Sequence, residues 1–345
     1  MAQQFASDNN AGMCPQALEA LVRANGEGHV PGYGEDRWTI EAKEKIRALF
    51  EADCAVFFVF NGTAANALAL AQLCRPYHAV ITHKISHVEE DEANAAGFFS
   101  GGAKTLGVDT PLAKLTPDAV EDLAGKELSV HQAKPRAVSL TQATELGTLY
   151  TREETAALSE VAHRHGLTLH MDGARFANAV AALECSPADL SWRAGVDILC
   201  FGGVKNGLGA GEAMLFFDPA LAQEFQWRVK QAGQLNSKMR FVTAPWLALL
   251  ENDTWLANAR HANAMARRLQ EQVAGETGVQ LCFPVEANAV FVDLAPTAQE
   301  RLRGKGWRFY TFLGERTCRL MCAWDTEPET VDRFAADLLA AVKGS

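Results

Sequence analysis

Residues 200–218 read CFGGVKNGLGAGEAMLFFD. An apolar run ends there, a single lysine (Lys205) follows among glycines, and a second apolar run, EAMLFF (212–217), begins. Three chemistries put a lysine or a glycine ribbon at such a point. A P-loop needs G-x-x-x-x-G-K-[ST], but neither Ser nor Thr follows Lys205, so the metal-binding hydroxyl is missing. A dinucleotide fingerprint needs G-x-G-x-x-G after the first strand. Gly207-Leu208-Gly209-Ala210-Gly211-Glu212 lacks the last glycine and lies after about the sixth apolar run. The third reading is a lysine held ready to form a Schiff base.

Working outward, the apolar runs AVFFVF (55–60), AVIT (79–82), AKTLGV (103–108), RAVSLT (136–141), LTLHM (167–171) and DILCFGG (197–203) precede EAMLFF. Runs apolar on both faces suit strands buried in a mainly parallel sheet. Helical signals lie between them. Thr151-Arg152-Glu153-Glu154 forms a capping box, Gly166 stops the helix that follows, and Thr116-Pro117 opens another. This alternation predicts an α/β fold: a mainly parallel seven-stranded sheet with helices on both faces. From Asn252 the texture changes. Trp255, Ala259, Ala262, Ala266, Leu269 and Val273 stripe one long helix, two strand-like runs follow (288–294 and 317–324), and a helix closes the chain. The expected division is an N-terminal segment 1–14, a large domain 15–251 and a small C-terminal α+β domain 252–345.

The 345 residues carry a net charge of −10 with no basic stripe, which argues against nucleic acid and anionic membranes as partners. No run of about eighteen apolar residues is present, and MAQQFASDNN has no apolar core, so neither a membrane span nor a signal peptide is expected. The eight cysteines are scattered with no C-x-x-C, which suits free thiols in the cytoplasm. No metal is expected. His163 and His165 do not share a helix face, His170 falls in the next strand, and HVEED (87–91) lacks the second histidine of a zinc motif.

The Schiff-base reading has support elsewhere. LTLHMDGARFAN puts Asp172 at a strand end, 33 residues before Lys205, and parallel strands share one C-terminal edge. Gly62-Thr63 opens a helix after a strand, where free N–H groups suit a phosphate. An amine, a carboxylate and a phosphate cradle on one edge are what pyridoxal 5'-phosphate requires. With SDN (7–9), YGED (33–36), NGTAAN (61–66), SHVEEDE (86–92), HMDGARFANA (170–179), FGGVKNG (201–207) and SKMR (237–240), the chain resembles the fold type I β-eliminating lyases, and among them the L-threonine and phenylserine aldolases.

That resemblance implies an aspartate-aminotransferase-like fold and retro-aldol cleavage of L-threonine, L-allo-threonine or L-phenylserine to glycine and an aldehyde. Another pyridoxal-phosphate lyase or an aminotransferase of the same fold is the alternative. It implies Lys205 as the Schiff-base lysine, Asp172 facing the pyridine nitrogen, and His87 stacked on the ring. His131 would help to deprotonate the substrate hydroxyl. Gly62 and Thr63 would hold the phosphate, with Lys230 and Arg240 reaching it from a neighbouring subunit. Ser7, Arg175 and Arg319 would hold the substrate carboxylate, Arg175 also lying against the cofactor. Tyr33 would reach the neighbour's site. A homo-oligomer with shared active sites, a dimer of dimers, follows from the same likeness.

Overall fold

The computed structural model describes residues 4–127 and 129–343. Seven strands form the larger sheet: β1 (Ala55–Val59), β2 (His78–His83), β3 (Lys104–Val108), β4 (Lys134–Thr141), β5 (Thr168–Gly173), β6 (Ile198–Phe201) and β7 (Glu212–Phe216). Their order is β1-β7-β6-β5-β4-β2-β3, and each coincides with one of the apolar runs. All run parallel except β7, which is antiparallel to both β1 and β6.

The apolar runs have to be apolar on both sides because both faces of the sheet are covered. In β6, Ile198 and Cys200 join one buried cluster with the helix Gly62–Leu73, while Leu199 and Phe201 join another with Phe50, Phe176 and Trp246. At the edge, β3 has no such demand, and its Lys104 and Gly107 are exposed. The capping box at Thr151 and Glu154 forms as its sequence predicts, and Gly166 takes φ +67 just past that helix.

The glycine ribbon is the turn that reverses β6 into β7. Gly207 sits at φ +109, a region that favours glycine. At Gly202 an added Cβ would stand 2.4 Å from the Ala174 carbonyl oxygen. The glycines therefore serve close packing of two loops at the C-terminal edge of the sheet.

A second, antiparallel sheet has the order β10-β11-β9-β8, from β8 (Gln280–Leu281), β9 (Ala289–Asp293), β10 (Tyr310–Leu313) and β11 (Thr317–Met321). Leu269, Val290, Leu320 and Phe334 centre its core, which the helices Thr254–Val273 and Pro328–Lys343 help to build. The apolar runs give away β9 and β11. They do not give away β8, only two residues long, or β10, whose residues are exposed or half-buried. Phe5 also belongs to this core. Its N–H donates to the Arg308 carbonyl at 2.7 Å and its carbonyl accepts from Met321 N–H at 2.8 Å. Among the described residues no helix is long and apolar enough to cross a membrane.

Candidate active site

The register Asp172↔Cys200 and Gly173↔Phe201 aligns the C-terminal ends of β5 and β6, so Asp172 and the turn carrying Lys205 leave the sheet side by side. Asp172 is 4% exposed, and its oxygens accept Ala174 N–H at 2.9 Å and Asn66 Nδ2 at 2.8 Å. Asn66 donates its second hydrogen to Glu92 Oε1 at 2.9 Å, and the same oxygen lies 2.8 Å from His87 Nδ1. A polar chain thus runs Asp172–Asn66–Glu92–His87. Burial pushes the Glu92 carboxyl up, against the pull of His87 and Asn66. The hydrogen bond to Glu92 raises the His87 imidazole, against its own burial.

Lys205 lines a cavity, and its amine has no hydrogen bond or ion pair among the described residues. Burial lowers its pKa and the Arg175 charge adds to this, while Asp8, Asp172 and Glu212 pull the other way. Glu212, at the start of β7, accepts Gly203 N–H at 2.5 Å and Val204 N–H at 3.4 Å, so it pins the turn that presents Lys205. Burial pushes the Glu212 carboxyl up to about 7.

Two arginines, Arg175 and Arg319, also line the cavity. Arg175 gives Nε and Nη2 to the two oxygens of Asp8, at 2.7 and 2.9 Å. Asn288 Nδ2 joins Asp8 at 3.1 Å. Burial works to raise the Asp8 pKa, but the charges of Arg175 and Lys205 and these hydrogen bonds hold it below the ordinary value. Arg319, on β11, lies 4.8 Å from the Phe312 ring and 5.7 Å from that of Tyr310. Its Nε is buried without a hydrogen-bond partner among the described residues, and burial, with help from Arg175, lowers its pKa to about 10.

At the third side, Gly62 lines the cavity at the start of the helix Gly62–Leu73. Asn61 caps the N–H of Ala64 at 2.9 Å, leaving the N–H groups of Gly62 and Thr63 without partners among the described residues. Glu145, in the loop after β4, completes the wall. Its Oε1 accepts His87 N–H at 2.9 Å, and its Oε2 is buried with no hydrogen-bond partner.

Residues 4–297 match the family described as beta-eliminating lyase. The chain belongs to that family. It is 57% identical to the low specificity L-threonine aldolase of Pseudomonas aeruginosa, over 97% of each chain. It is 54% identical to the enzyme of the same name from a Pseudomonas species, over 99% of this chain and 98% of the relative. Among solved structures, the threonine aldolase of Leishmania major superposes with a TM-score of 0.92 at 29% identity, over 98% of this chain and 99% of that one. Aspartate aminotransferase from Thermus thermophilus, 16% identical, superposes at 0.73 over 99% and 91% of the two chains, which places this lyase in fold type I.

Lyases of this family use pyridoxal phosphate in general, and the site fits that group. The free Lys205 amine, the buried Asp172 carboxylate and the uncommitted N–H groups at Gly62 and Thr63 are the donors and acceptors its aldehyde, ring nitrogen and phosphate call for.

Ser7, Gly62, His87, Asp172, Arg175, Lys205 and Arg319 meet in this one cavity, with Thr63 next to Gly62. His131 does not join them. It is exposed, and it lines a surface groove with Lys104 and Pro135, at the strand starts of β3 and β4 and hence at the opposite end of the sheet. The expected role for His131 at the substrate hydroxyl finds no support in its own subunit's cavity. Tyr33, Lys230 and Arg240 form a separate cluster and do not line the Lys205 cavity. The Lys230 amine lies 4.7 Å over the Tyr33 ring, Tyr33 N–H donates to Ser237 at 3.2 Å, and Arg240 donates to the Gly28 carbonyl at 3.4 Å. His163, His165 and His170 each face a different partner: Asp197, Glu121 and the Ser139–Cys200 pair.

The residue-by-residue reading missed Asp8, Asn66, Glu92, Glu145, Glu212 and Asn288. Asn66 had a visible signal, as a polar side chain inside the Ala- and Leu-rich stretch that forms the buried middle of its helix. Asp8 and Glu92 stand inside motifs quoted above, but nothing local to them says which charge they meet.

Proposed function

We propose that this protein cleaves L-β-hydroxy-α-amino acids (L-threonine, L-allo-threonine and L-phenylserine) reversibly to glycine and an aldehyde, with pyridoxal 5'-phosphate. One observation carries the reading: the Lys205 amine stands unpaired in a cavity walled by the Asp172 carboxylate on one side and the unpaired Arg319 guanidinium edge on the other. The names of the two Pseudomonas relatives support it.

When bound, the cofactor supplies an electron sink for the electrons of a bond to Cα. Lys205, its pKa lowered by burial, keeps a larger neutral fraction than an exposed lysine and so is a better nucleophile. Asp172 would face the ring nitrogen, and Asn66 and the Ala174 N–H fix the direction of both its oxygens. Gly62 and Thr63 offer N–H groups to the phosphate. His87 would stack its flat imidazole on the ring, with its pKa raised by the hydrogen bond to Glu92 against its own burial.

Arg319 grips the substrate carboxylate with an edge no protein group occupies, while Arg175, tied to Asp8 through Nε and Nη2, contributes its remaining Nη1. Holding the carboxylate fixes which bond to Cα stands perpendicular to the ring, and that selects carbon–carbon cleavage over transamination. Ser7 lies on the same wall.

The test is to incubate the holoenzyme with each of the three amino acids and no keto acid. Glycine and aldehyde in equal amounts are expected. Keto-acid exchange without aldehyde would replace the reading by an aminotransferase.

The assembly we infer is a dimer of dimers, in the cytoplasm, with Tyr33, Lys230 and Arg240 directed at a neighbour's site. The exposed Tyr33 ring, the buried unpaired Arg240 Nε and the absence of all three from their own cavity support sharing. The eight free cysteines support a reducing compartment. Sedimentation equilibrium at one subunit mass would refute the assembly.

A further inference from the structure

Retro-aldol cleavage needs a group to take the proton of the β-hydroxyl as the Cα–Cβ bond breaks. His131 does not line this cavity, so the groups that do line it are weighed for the task. Its titratable and charged members are His87, Asp91, Glu145, Asp172, Lys205 and the two arginines. The arginines only donate. His87 has Nδ1 on Glu92, which raises the imidazole toward its cationic, donating form. Asp172 already accepts on both oxygens. Asp91 is exposed and solvated. Lys205 is committed to the cofactor.

Glu145 remains, and its geometry is suited to the task. Oε1 is fixed on the His87 N–H at 2.9 Å, which holds the carboxyl in one orientation. Oε2 is buried and has no hydrogen-bond partner among the described residues, in the wall of the cavity the substrate would enter. A buried acceptor without a partner costs about 1–3 kcal/mol, so its natural complement is a hydroxyl brought by the ligand. Burial pushes the Glu145 carboxyl up to about 7, against the pull of the backbone N–H groups of Glu145 and His87 and of the nearby Thr141 hydroxyl. That basicity lets one group both accept and return a proton near neutrality.

We propose that Glu145 is the catalytic base of carbon–carbon cleavage, its Oε2 taking the proton of the substrate β-hydroxyl. The O–H bond breaks and an Oε2–H bond forms. The freed O–H pair becomes the second carbon–oxygen bond of the aldehyde, and the Cα–Cβ pair stays with Cα. In the synthetic direction Glu145 returns that proton to the aldehyde oxygen. This rests on the retro-aldol reading above.

The test compares holoenzyme with wild-type sequence, Glu145→Gln and Glu145→Asp in two assays. One is aldehyde release from L-threonine. The other is exchange of the glycine α-proton with D2O followed by NMR, which involves no hydroxyl. Glu145→Gln should lose about 10²–10⁴-fold in aldehyde release, the usual worth of a positioned base, with glycine exchange little changed. Glu145→Asp, one methylene shorter, should show the same split to a lesser degree. Aldehyde release at near wild-type rate in Glu145→Gln overturns the proposal. So does an equal fall in both assays, which would make Glu145 a brace for the His87 segment. If the wild type exchanges glycine but releases no aldehyde from any substrate, the retro-aldol reading itself fails, and that outcome is distinct from either.

Discussion

The two ends of the larger sheet are made from the same seven strands and share almost no chemistry. At the C-terminal end of the parallel strands, Glu92, Asp172 and Glu212 are buried, and Asn66, Glu92, Glu145, Asn288 and Arg319 each keep a buried polar atom with no partner among the described residues. At the other end, Lys104, His131 and Lys134 are charged or titratable and exposed. Solvated charges there cost nothing and specify nothing. Each unpartnered buried group costs about 1–3 kcal/mol, and such a cluster is tolerated where a ligand completes it. Residue type alone does not mark function here; a histidine or lysine matters by which end of a strand it follows.

The sharpest way to break that contrast is Lys205→Ala. It should abolish both cleavage and the adduct that borohydride traps, and peptide mapping that finds the label on another lysine would move the site. Asp172→Asn should still bind the cofactor while losing on the order of 3 kcal/mol, roughly a hundredfold in turnover, because a neutral amide no longer balances a protonated ring nitrogen. Turnover within a few-fold of wild type would leave Asp172 an ordinary turn residue. Arg319→Lys should raise KM for L-threonine about tenfold or more with a smaller change in kcat, since a charge-assisted contact of about 1.5–3 kcal/mol is lost. An effect confined to kcat would take Arg319 off the carboxylate.

A pH profile sharpens the comparison further. Burial raises Glu145 to about 7, so the ionised, proton-accepting form is the minority below that pH. Cleavage measured as kcat/KM should therefore fall about tenfold per pH unit below about 7, while glycine exchange lacks that limb. A common limb in both assays would assign it to another group. The smallest effect is expected at the far end: His131→Ala should leave cleavage unchanged, and a large loss would show that this end of the sheet does reach a site, in a neighbouring subunit.

Six of the seven strands of the larger sheet were legible because burial on both faces leaves continuous apolar runs, while the edge strand β3 showed only a short, partly apolar one. The reversal at β7 was not. Antiparallel and parallel central strands are equally apolar, and the glycine ribbon fits a turn in either direction. Lys205 and Asp172 could be read because a topological rule puts strand ends on one edge. Asn66, Glu92 and Asp8 could not be assigned, since their partners are 106, 5 and 167 residues away and only folding sets those distances. His131 was named by resemblance alone, with no strand end behind it, and it does not line the cavity of its own chain.

The hydrogen bonds of Phe5 have a consequence for how the molecule is made. Its backbone partners are Arg308 and Met321, and three residues on Asp8 grips Arg175 and Asn288. A ribosome releases this chain from its first residue, and folding begins with what has emerged. Every strand of the larger sheet is out once Phe216 has been added, with Lys205 and Asp172 already in place. The segment that orients Arg175 gains its last backbone partner, Met321, only when β11 emerges, and β11 also carries Arg319. Translation therefore delivers the amine and its carboxylate early and the grip on the substrate last, so a nascent chain passes through a stage with a finished sheet and an unfinished pocket.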